Sequence, residues 1–339
     1  MKQTNKAALR RRRRRIAIAV LALLAVLAVT LTVLLVHALL ALFGSDKPMG
    51  DAPASGIPSS APTTSTTVTT TTTYIDLQGV ALQAQSAILY DVTADTVLYV
   101  HNPTELRAPA SITKLAVAET ALHLCDADVW MKVGSEIDRM DPSASRAWLS
   151  KGHSYKLRDL VAALLLPSGS DAAFCIAVNT ARHVLGEQTG EQEAIDWFMA
   201  EVNKRVKQLG MQNTFFVTPD GMTHPDHLST AEDLLVLVRH CAENSLLAQV
   251  TGSARWSCYT KSGYGVTFKN TNFLLQRDSE FYYEYATGSK TGFTNAAGYC
   301  LAATAQKDGH TVIAIVLGEP TPEQRFIDCR ALFDLVFKG

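Results

Sequence analysis

No acidic residue occurs before Asp46, whereas Lys2, Lys6 and the run Arg10–Arg15 place eight positive charges ahead of it. The chain carries a net charge of -1, so the remainder sums to -9 and the charge is strongly polarised along the sequence. A basic block of this kind is compatible with nucleic-acid binding when it stands alone. It does not stand alone. From Ile16 to Phe43 the sequence has no Asp, Glu, Lys or Arg over 28 residues, and about 20 helical residues suffice to cross a bilayer. A cleavable signal peptide has an apolar region of only ~7–15 residues with a small-residue cleavage site behind it, and neither feature is evident. Ile16–Phe43 therefore reads as a retained transmembrane anchor. The basic segment (residues 1–15) is its cytoplasmic flank, and the rest of the chain is extracytoplasmic. On that reading the basic block is a topology signal, and no nucleic-acid partner is expected.

Large apolar residues are scarce between Gly44 and Thr73, where Thr, Ser, Pro and Ala prevail and Thr69–Thr73 is an unbroken threonine run. Such a stretch buries too little to offset the entropy of ordering, which makes it a solvated spacer; its threonines are alternatively carriers of O-linked sugar. Residues 74–339 are left as one packed domain. Zinc-type cysteine spacing is missing among Cys125, Cys175, Cys241, Cys258, Cys300 and Cys329, and no cysteine has an evident histidine partner for nucleophilic work. An even number in an extracytoplasmic chain leaves disulfides open, with fifteen fully paired connectivities. Cys125, Cys175 and Cys300 lie in apolar patterns and read as small buried residues. The sequence His224-Pro225-Asp226-His227 lacks a further ligand, so packing or capping is expected of it in preference to a metal site.

The elements that are present alternate in kind. Ser86–Val92 and Thr96–Val100 read as strands of a hairpin across Thr93–Asp95. Apolar residues at three- and four-residue spacing predict helices over Ser111–Leu124, Leu157–Leu166, Asp171–Leu185, Glu191–Leu209 and Thr230–Leu247, the last capped by Ser229 or Thr230. Strand character returns after Thr267, with Tyr299–Ala305 and Thr311–Leu317 split by the turn at Lys307–Gly309, and Arg325–Phe337 closes as a helix. Strands from both ends with helices between them predict one α/β domain: an antiparallel sheet of about five strands flanked by helices, a helical subdomain, and a cleft between the two.

Three clusters carry chemistry. Ser111-Ile112-Thr113-Lys114 opens a helical pattern, so residues three apart share a face and Lys114 can reach Ser111. A serine hydroxyl needs such a neighbour to become nucleophilic, and a lysine serves as the base only if burial or a nearby cation lowers its pKa. Ser168-Gly169-Ser170 lies between two helical patterns. Lys290-Thr291-Gly292 follows Gly288-Ser289, and Gly292 is expected to let a substrate backbone approach a strand closely. Each cluster taken singly is also readable as a cap or a turn.

Together, in this order, the clusters resemble the penicillin-binding and serine β-lactamase superfamily. Within it the chain is most similar to the low-molecular-mass D-alanyl-D-alanine carboxypeptidases of the peptidase S11 group. The resemblance runs from about Gln85 to Phe337. It rests on Pro109–Lys114, Leu164–Ala173, His227–Ala231 and the continuous match Gly288–Cys300. It implies that Ser111 is the acylated nucleophile and Lys114 its base, that Ser168 relays a proton to the leaving amine, and that Lys290 keeps the local field positive. Thr291 and Arg325 match positions that bind the substrate carboxylate, and the backbone N–H groups of Ser111 and Phe293 match the oxyanion hole. The implied substrate is a peptidoglycan stem peptide ending in D-Ala-D-Ala, with β-lactams as acylating inhibitors and neither metal nor cofactor. Two departures from the family pattern stand out. Ser170 occupies the position usually held by asparagine, and the chain stops at Gly339 where many relatives continue into a β-rich domain and a C-terminal amphipathic anchor. The N-terminal helix is expected to take the place of that anchor. The alternatives are a β-lactamase, for which no deacylating glutamate is identifiable, and a catalytically weak protein that binds wall peptides.

Overall fold

The computed structural model describes residues 81–338. The expected anchor Ile16–Phe43, the spacer Gly44–Thr73 and the domain start at Tyr74 lie outside those residues. Among the described residues, no helix is long and apolar enough to cross a membrane.

In chain order the strands are β1 (Ser86–Asp91), β2 (Thr96–His101), β3 (Trp130–Lys132), β4 (Ser154–Lys156), β5 (Arg255–Tyr259), β6 (Gly265–Lys269), β7 (Ala286–Thr294), β8 (Gly298–Lys307) and β9 (His310–Glu319). The α-helices are α1 (Thr113–Leu124), α2 (Leu157–Leu165), α3 (Ser170–Leu185), α4 (Glu191–Gln208), α5 (Ala231–Glu243), α6 (Ser245–Gly252) and α7 (Gln324–Phe337). Five strands form the expected antiparallel sheet in the order β2-β1-β9-β8-β7. The first hairpin therefore joins the last strands through β1 and β9, and β7 is left as an edge.

Side-chain alternation divides the sheet between two cores. Leu89 of β1, Leu301 and Ala303 of β8, and Ala314 and Val316 of β9 face α7, where they meet Phe326, Leu332 and Phe333. Ile88, Ala302, Ile313 and Ile315 point the other way, into the larger core shared with α1 to α6. The central strands are covered on both faces, which is why β9 reads in sequence as a continuous apolar run. Burying each large side chain on α7 contributes ~1.5–3 kcal/mol relative to leaving it exposed, so packing accounts for this helix better than propensity does.

The helical half breaks one expected helix in two. A single helix over Thr230–Leu247 is predicted by an apolar pattern that runs unbroken, yet α5 stops at Glu243. Asn244 adopts an extended backbone, and its side-chain oxygen accepts from the N–H groups of Leu246 and Leu247 at 3.0 and 3.1 Å, starting α6. A short amide that satisfies two orphan donors outweighs continued helix here. Thr230 caps α5 as expected, its hydroxyl accepting from Asp233 N at 3.1 Å. The hairpins β3/β4 and β5/β6 were not read from the sequence, because strands this short carry too little alternation to register. All six cysteines are buried and free, so no disulfide forms among the described residues.

Glu319, at the end of β9, is buried, and neither of its carboxyl oxygens reaches a hydrogen-bond partner. Burial, reinforced by the adjacent Asp328, raises its pKa to about 9. The acid is therefore protonated in the fold and ionised in the unfolded chain at neutral pH. The stability this contributes is complete below the unfolded pKa and is lost as pH rises towards about 9. Glu319→Gln is expected to raise Tm relative to the parent by a few degrees at pH 8.5, at roughly 2–4 °C per kcal/mol for a domain this size, with a smaller difference at pH 5. Thermal melts across pH check this; parallel curves for the two proteins contradict it.

Candidate active site

Ser111 lies in a short 3-10 turn, Ala110–Ile112, that runs directly into α1. The regular helix thus starts two residues later than the periodicity predicts. In the tighter turn residues three apart align along the axis, and Lys114 Nζ sits 2.9 Å from Ser111 Oγ. The turn is set by Ala110, held at φ +49°. Gly221 packs against it so closely that a Cβ there would lie 2.2 Å from Ala110 O.

The second cluster meets the same amine. Ser168, itself at φ +61°, and Ser170, the first residue of α3, bring their hydroxyls to 3.4 and 3.3 Å from Lys114 Nζ. Lys114 is 1% exposed. Burial lowers its pKa to about 8, against the opposing pull of the Asp220 and Asp171 carboxylates. An ammonium has three N–H donors, and the three serine hydroxyls can take one each. Once neutral, the amine has two N–H groups and a lone pair, so one hydroxyl must turn and donate to nitrogen. Ser111, at the shortest distance, is placed to be that one.

The third cluster lies on β7, the sheet edge. Lys290 is as buried as Lys114, and its Nζ donates to Thr291 O at 2.8 Å. Burial drives its pKa well below the ordinary lysine value, with the positive charges of Lys114 and Arg325 acting in the same direction. Thr291 shares a 2.7 Å hydroxyl contact with Thr271. A Cβ on Gly292 would lie 3.0 Å from Pro109 O and 3.2 Å from Ser111 N, so the missing side chain lets the sheet edge close on the Ser111 turn. Arg325, on α7, donates to Gly292 O at 3.2 Å and stacks over Tyr299 and Phe326, with its Nε unpartnered. Phe293 is half exposed and stacks on Tyr299 at 4.2 Å between centroids.

Seven of the residues singled out by sequence, Ser111, Ser168, Ser170, Thr291, Gly292, Phe293 and Arg325, line one cleft of about 440 Å³. Lys114 and Lys290 are buried against its base. The same cleft takes in Thr271, Met222, Thr223, Asn295 and the segment Ser143–Ser145, which were not foreseen. Asn295 falls within the continuous match Gly288–Cys300; the others are loop and turn residues brought in from distant parts of the chain, and no local pattern marks them. Asp171 was more accessible to inference because it directly follows Ser170. Its carboxylate accepts from Ala147 N and Leu149 N at 2.8 and 2.9 Å, tying that loop to the start of α3. None of the described residues lining the cleft is Asp or Glu. His227, of the His-Pro-Asp-His sequence, is buried 2.8 Å from Thr113 Oγ1 and accepts from Val217 N at 3.0 Å. Burial lowers its pKa to about 4. It braces the turn behind Ser111, as packing predicted. Among the described residues no cluster could hold a metal ion.

A buried lysine shared by three serines beside a Lys-Thr-Gly edge strand defines a serine acyl-transfer site. A family model described as peptidase S11, D-alanyl-D-alanine carboxypeptidase, matches residues 69–321, and the chain belongs to that family. The D-alanyl-D-alanine carboxypeptidase DacF of Bacillus subtilis is 29% identical over 264 residues, covering 76% of this chain and 63% of that protein. The chain thus spans a little under two thirds of that relative's length. A solved Streptomyces DD-transpeptidase superposes with a TM-score of 0.70 at 27% identity, covering 78% of this chain and all of the other. A penicillin-binding protein of Listeria monocytogenes, in its cefotaxime-bound form, superposes at 0.61 with 29% identity, covering 76% and 98%.

Proposed function

We propose that this chain is a serine-type D-Ala-D-Ala carboxypeptidase that removes the terminal D-alanine from peptidoglycan stem peptides. The observation that carries the reading is the contact of one buried amine, with its pKa near 8, with Ser111, Ser168 and Ser170. Substrate enters with its terminal carboxylate towards Thr291 and Arg325 and its scissile carbonyl over Ser111. The backbone N–H groups of Ser111 and Phe293 receive the developing oxyanion. Neutral Lys114 takes the Ser111 proton as Oγ bonds to the carbonyl carbon. The C–N bond then breaks, the proton passes through Ser168 to the departing D-alanine amine, and an ester remains on Ser111. Water reverses the step and releases the shortened peptide. Lys290, a second cation beside the carboxylate end, opposes protonation of Lys114 and holds the potential positive.

A β-lactam follows the same first half, and its ring-opened ester persists because the leaving amine stays tethered. Among the described residues lining the cleft there is no carboxylate to activate water against that ester, which favours a penicillin-binding enzyme over a β-lactamase. The same proposal places the domain outside the cell, on a spacer (residues 44–73) and a single anchor (residues 16–43), with the basic segment (residues 1–15) in the cytoplasm. Support for this part is the sequence alone: the uncharged run and its arginine flank. Incubating the protein with a D-Ala-D-Ala peptide and with labelled penicillin tests the activity. Release of D-alanine together with a lasting label on the protein is the expected result. Rapid release of opened penicillin indicates a lactamase, and neither release nor label indicates a binder.

Ser170 tests the second cluster. A hydroxyl can accept from Lys114 while donating to the substrate carbonyl, but from one atom and over a shorter reach than an amide. Losing such a contact costs roughly 1–3 kcal/mol, about one to two powers of ten in rate if it is felt fully in the transition state. Ser170→Ala is expected to lose that much in kcat/KM on a D-Ala-D-Ala peptide, and Ser170→Asn to match or exceed the parent. Equal rates for parent and Ser170→Ala would assign the work of this cluster to Ser168.

A further inference from the structure

The loop between the 3-10 turn at Ser135–Arg139 and β4 forms part of the cleft wall through Ser143, Ala144 and Ser145. It is anchored to the second cluster rather than to the sheet. Ser170 N donates to Ser145 O at 2.8 Å, and the two oxygens of Asp171 hold Ala147 N and Leu149 N. A Cβ on Gly169 would lie 2.7 Å from the Ala147 side chain, so the loop packs tightly on this motif. Ala147 and Leu149 are both 7% exposed, whereas Trp148 between them is 79% exposed at φ +62°. A bulky residue in the left-handed region is unfavourable, and such conformations persist only where the surroundings over-determine them. Here the Asp171 carboxylate clamps both neighbours and turns the indole out to solvent, three residues on from Ser145 of the cleft wall.

The residue before the buried pair is also unusual. The Arg146 guanidinium carbon lies 5.6 Å from the centre of the Trp148 ring, and the side chain is exposed. Among the described residues it forms no ion pair with a carboxylate. A guanidinium held against an indole keeps its N–H edge free and pre-oriented, which suits a carboxylate. The indole offers a flat apolar face for CH groups next to that carboxylate. We propose that Arg146 and Trp148 form an accessory subsite for the acyl side of the substrate, one that takes a free side-chain or α-carboxylate within the two residues preceding D-Ala-D-Ala. This rests on the carboxypeptidase reading of the cleft and adds to it a preference for acidic stem peptides.

The test uses peptides ending in D-Ala-D-Ala that carry Glu or Gln at one of the two preceding positions, with the full-length protein. The quantity read is the ratio of kcat/KM for the Glu over the Gln peptide, because general damage to the fold lowers both and leaves the ratio unchanged. At one of the two positions the parent ratio is expected to be about ten, as a charge-assisted hydrogen bond allows. Arg146→Gln is expected to bring it near one, and Arg146→Lys to retain part of it. Trp148→Ala is expected to raise KM for the Glu peptide more than Trp148→Phe does. A parent ratio near one at both positions, or a ratio that survives Arg146→Gln, overturns the subsite. Calorimetric binding of the same peptides to Ser111→Ala separates this proposal from the activity it rests on. Preferential, Arg146-dependent binding of the Glu peptide without turnover in the parent would keep the subsite and reject the carboxypeptidase reading. Equal binding of the pair would reject the subsite whatever the turnover.

Discussion

Ser111→Ala is expected to lower D-alanine release by about six powers of ten and to abolish covalent labelling by penicillin, since removing a nucleophilic serine from a serine hydrolase site costs about a millionfold. The size of the effect follows from the lack of a substitute. Ser168 and Ser170 also touch Lys114, but at 3.4 and 3.3 Å against 2.9 Å for Ser111. Both are also buried, at 6% and 1% exposure. Ser111 alone sits at the helix-entry turn against which the edge strand closes. The substitution removes one oxygen from a partly exposed side chain, so folding is expected to survive and circular dichroism should match the parent. Mass mapping of the labelled peptide is the decisive measurement. A label that persists in Ser111→Ala, or that maps to Ser168 or Ser170 in the parent, would reassign the nucleophile.

The next largest loss is expected at Lys114. Positioned general bases contribute typically about 10²–10⁴-fold, and Lys114→Ala is expected to fall at the upper end because three hydroxyls lose a common partner as well. Lys114→Arg is the sharper variant: it keeps the charge and the donors but cannot accept a proton near neutral pH. If the amine were needed only as a cation, Lys114→Arg would retain much of the acylation rate. If it is the base, the arginine variant should be nearly as slow as alanine. The parent itself should show the proton. On that reading activity requires the neutral amine, whose pKa burial lowers to about 8, so acylation should rise with pH and level off above that value. On the proposed role of Lys290 as a second cation, Lys290→Ala is expected to move this limb upward, because losing that charge makes protonation of Lys114 easier. Measuring penicillin acylation from pH 6 to 10 in both proteins checks the direction; a limb that does not move would remove Lys290 from the control of Lys114.

Charge compensation helps Lys114 to tolerate burial. Asp171 and Asp220 pull the Lys114 pKa upward while desolvation pushes it down, leaving it close to the working range. The Lys290 pKa is lowered by burial and, in the same direction, by the positive charges of Lys114 and Arg325. The Asp171 carboxylate also holds the Ala147–Leu149 loop, so the group that tempers the base shapes the wall of the cleft as well. Asp171→Asn is therefore a compound change, and its effect on rate is not assignable to the electrostatic part alone.

The sequence by itself marked residues that the fold gathers at one cleft, together with the broad layout. Ser111 and Lys114 are three apart at a helix entry, a spacing whose geometry is local, and periodicity does not need the rest of the fold to place them on one face. The alternation in β1 and the long apolar run of β9 likewise follow from what each strand buries. The clamp of Asn244 on two following N–H groups was hidden because the apolar pattern continues through it, and the short hairpins were hidden because they have no pattern to show. Only the tertiary structure decided that Ser168 and Ser170, more than fifty residues from Lys114, bring their hydroxyls to the same amine. It also decided that Gly292 makes room for Pro109 and Ser111, and that the loop bearing Trp148 belongs to the cleft. Contacts between distant segments are set by which apolar faces pack together, and a hydroxyl or a glycine carries no mark in sequence of the partner that packing will give it. The pKa of Lys114 belongs to the same class, since desolvation is a property of the assembled core and of no residue within it.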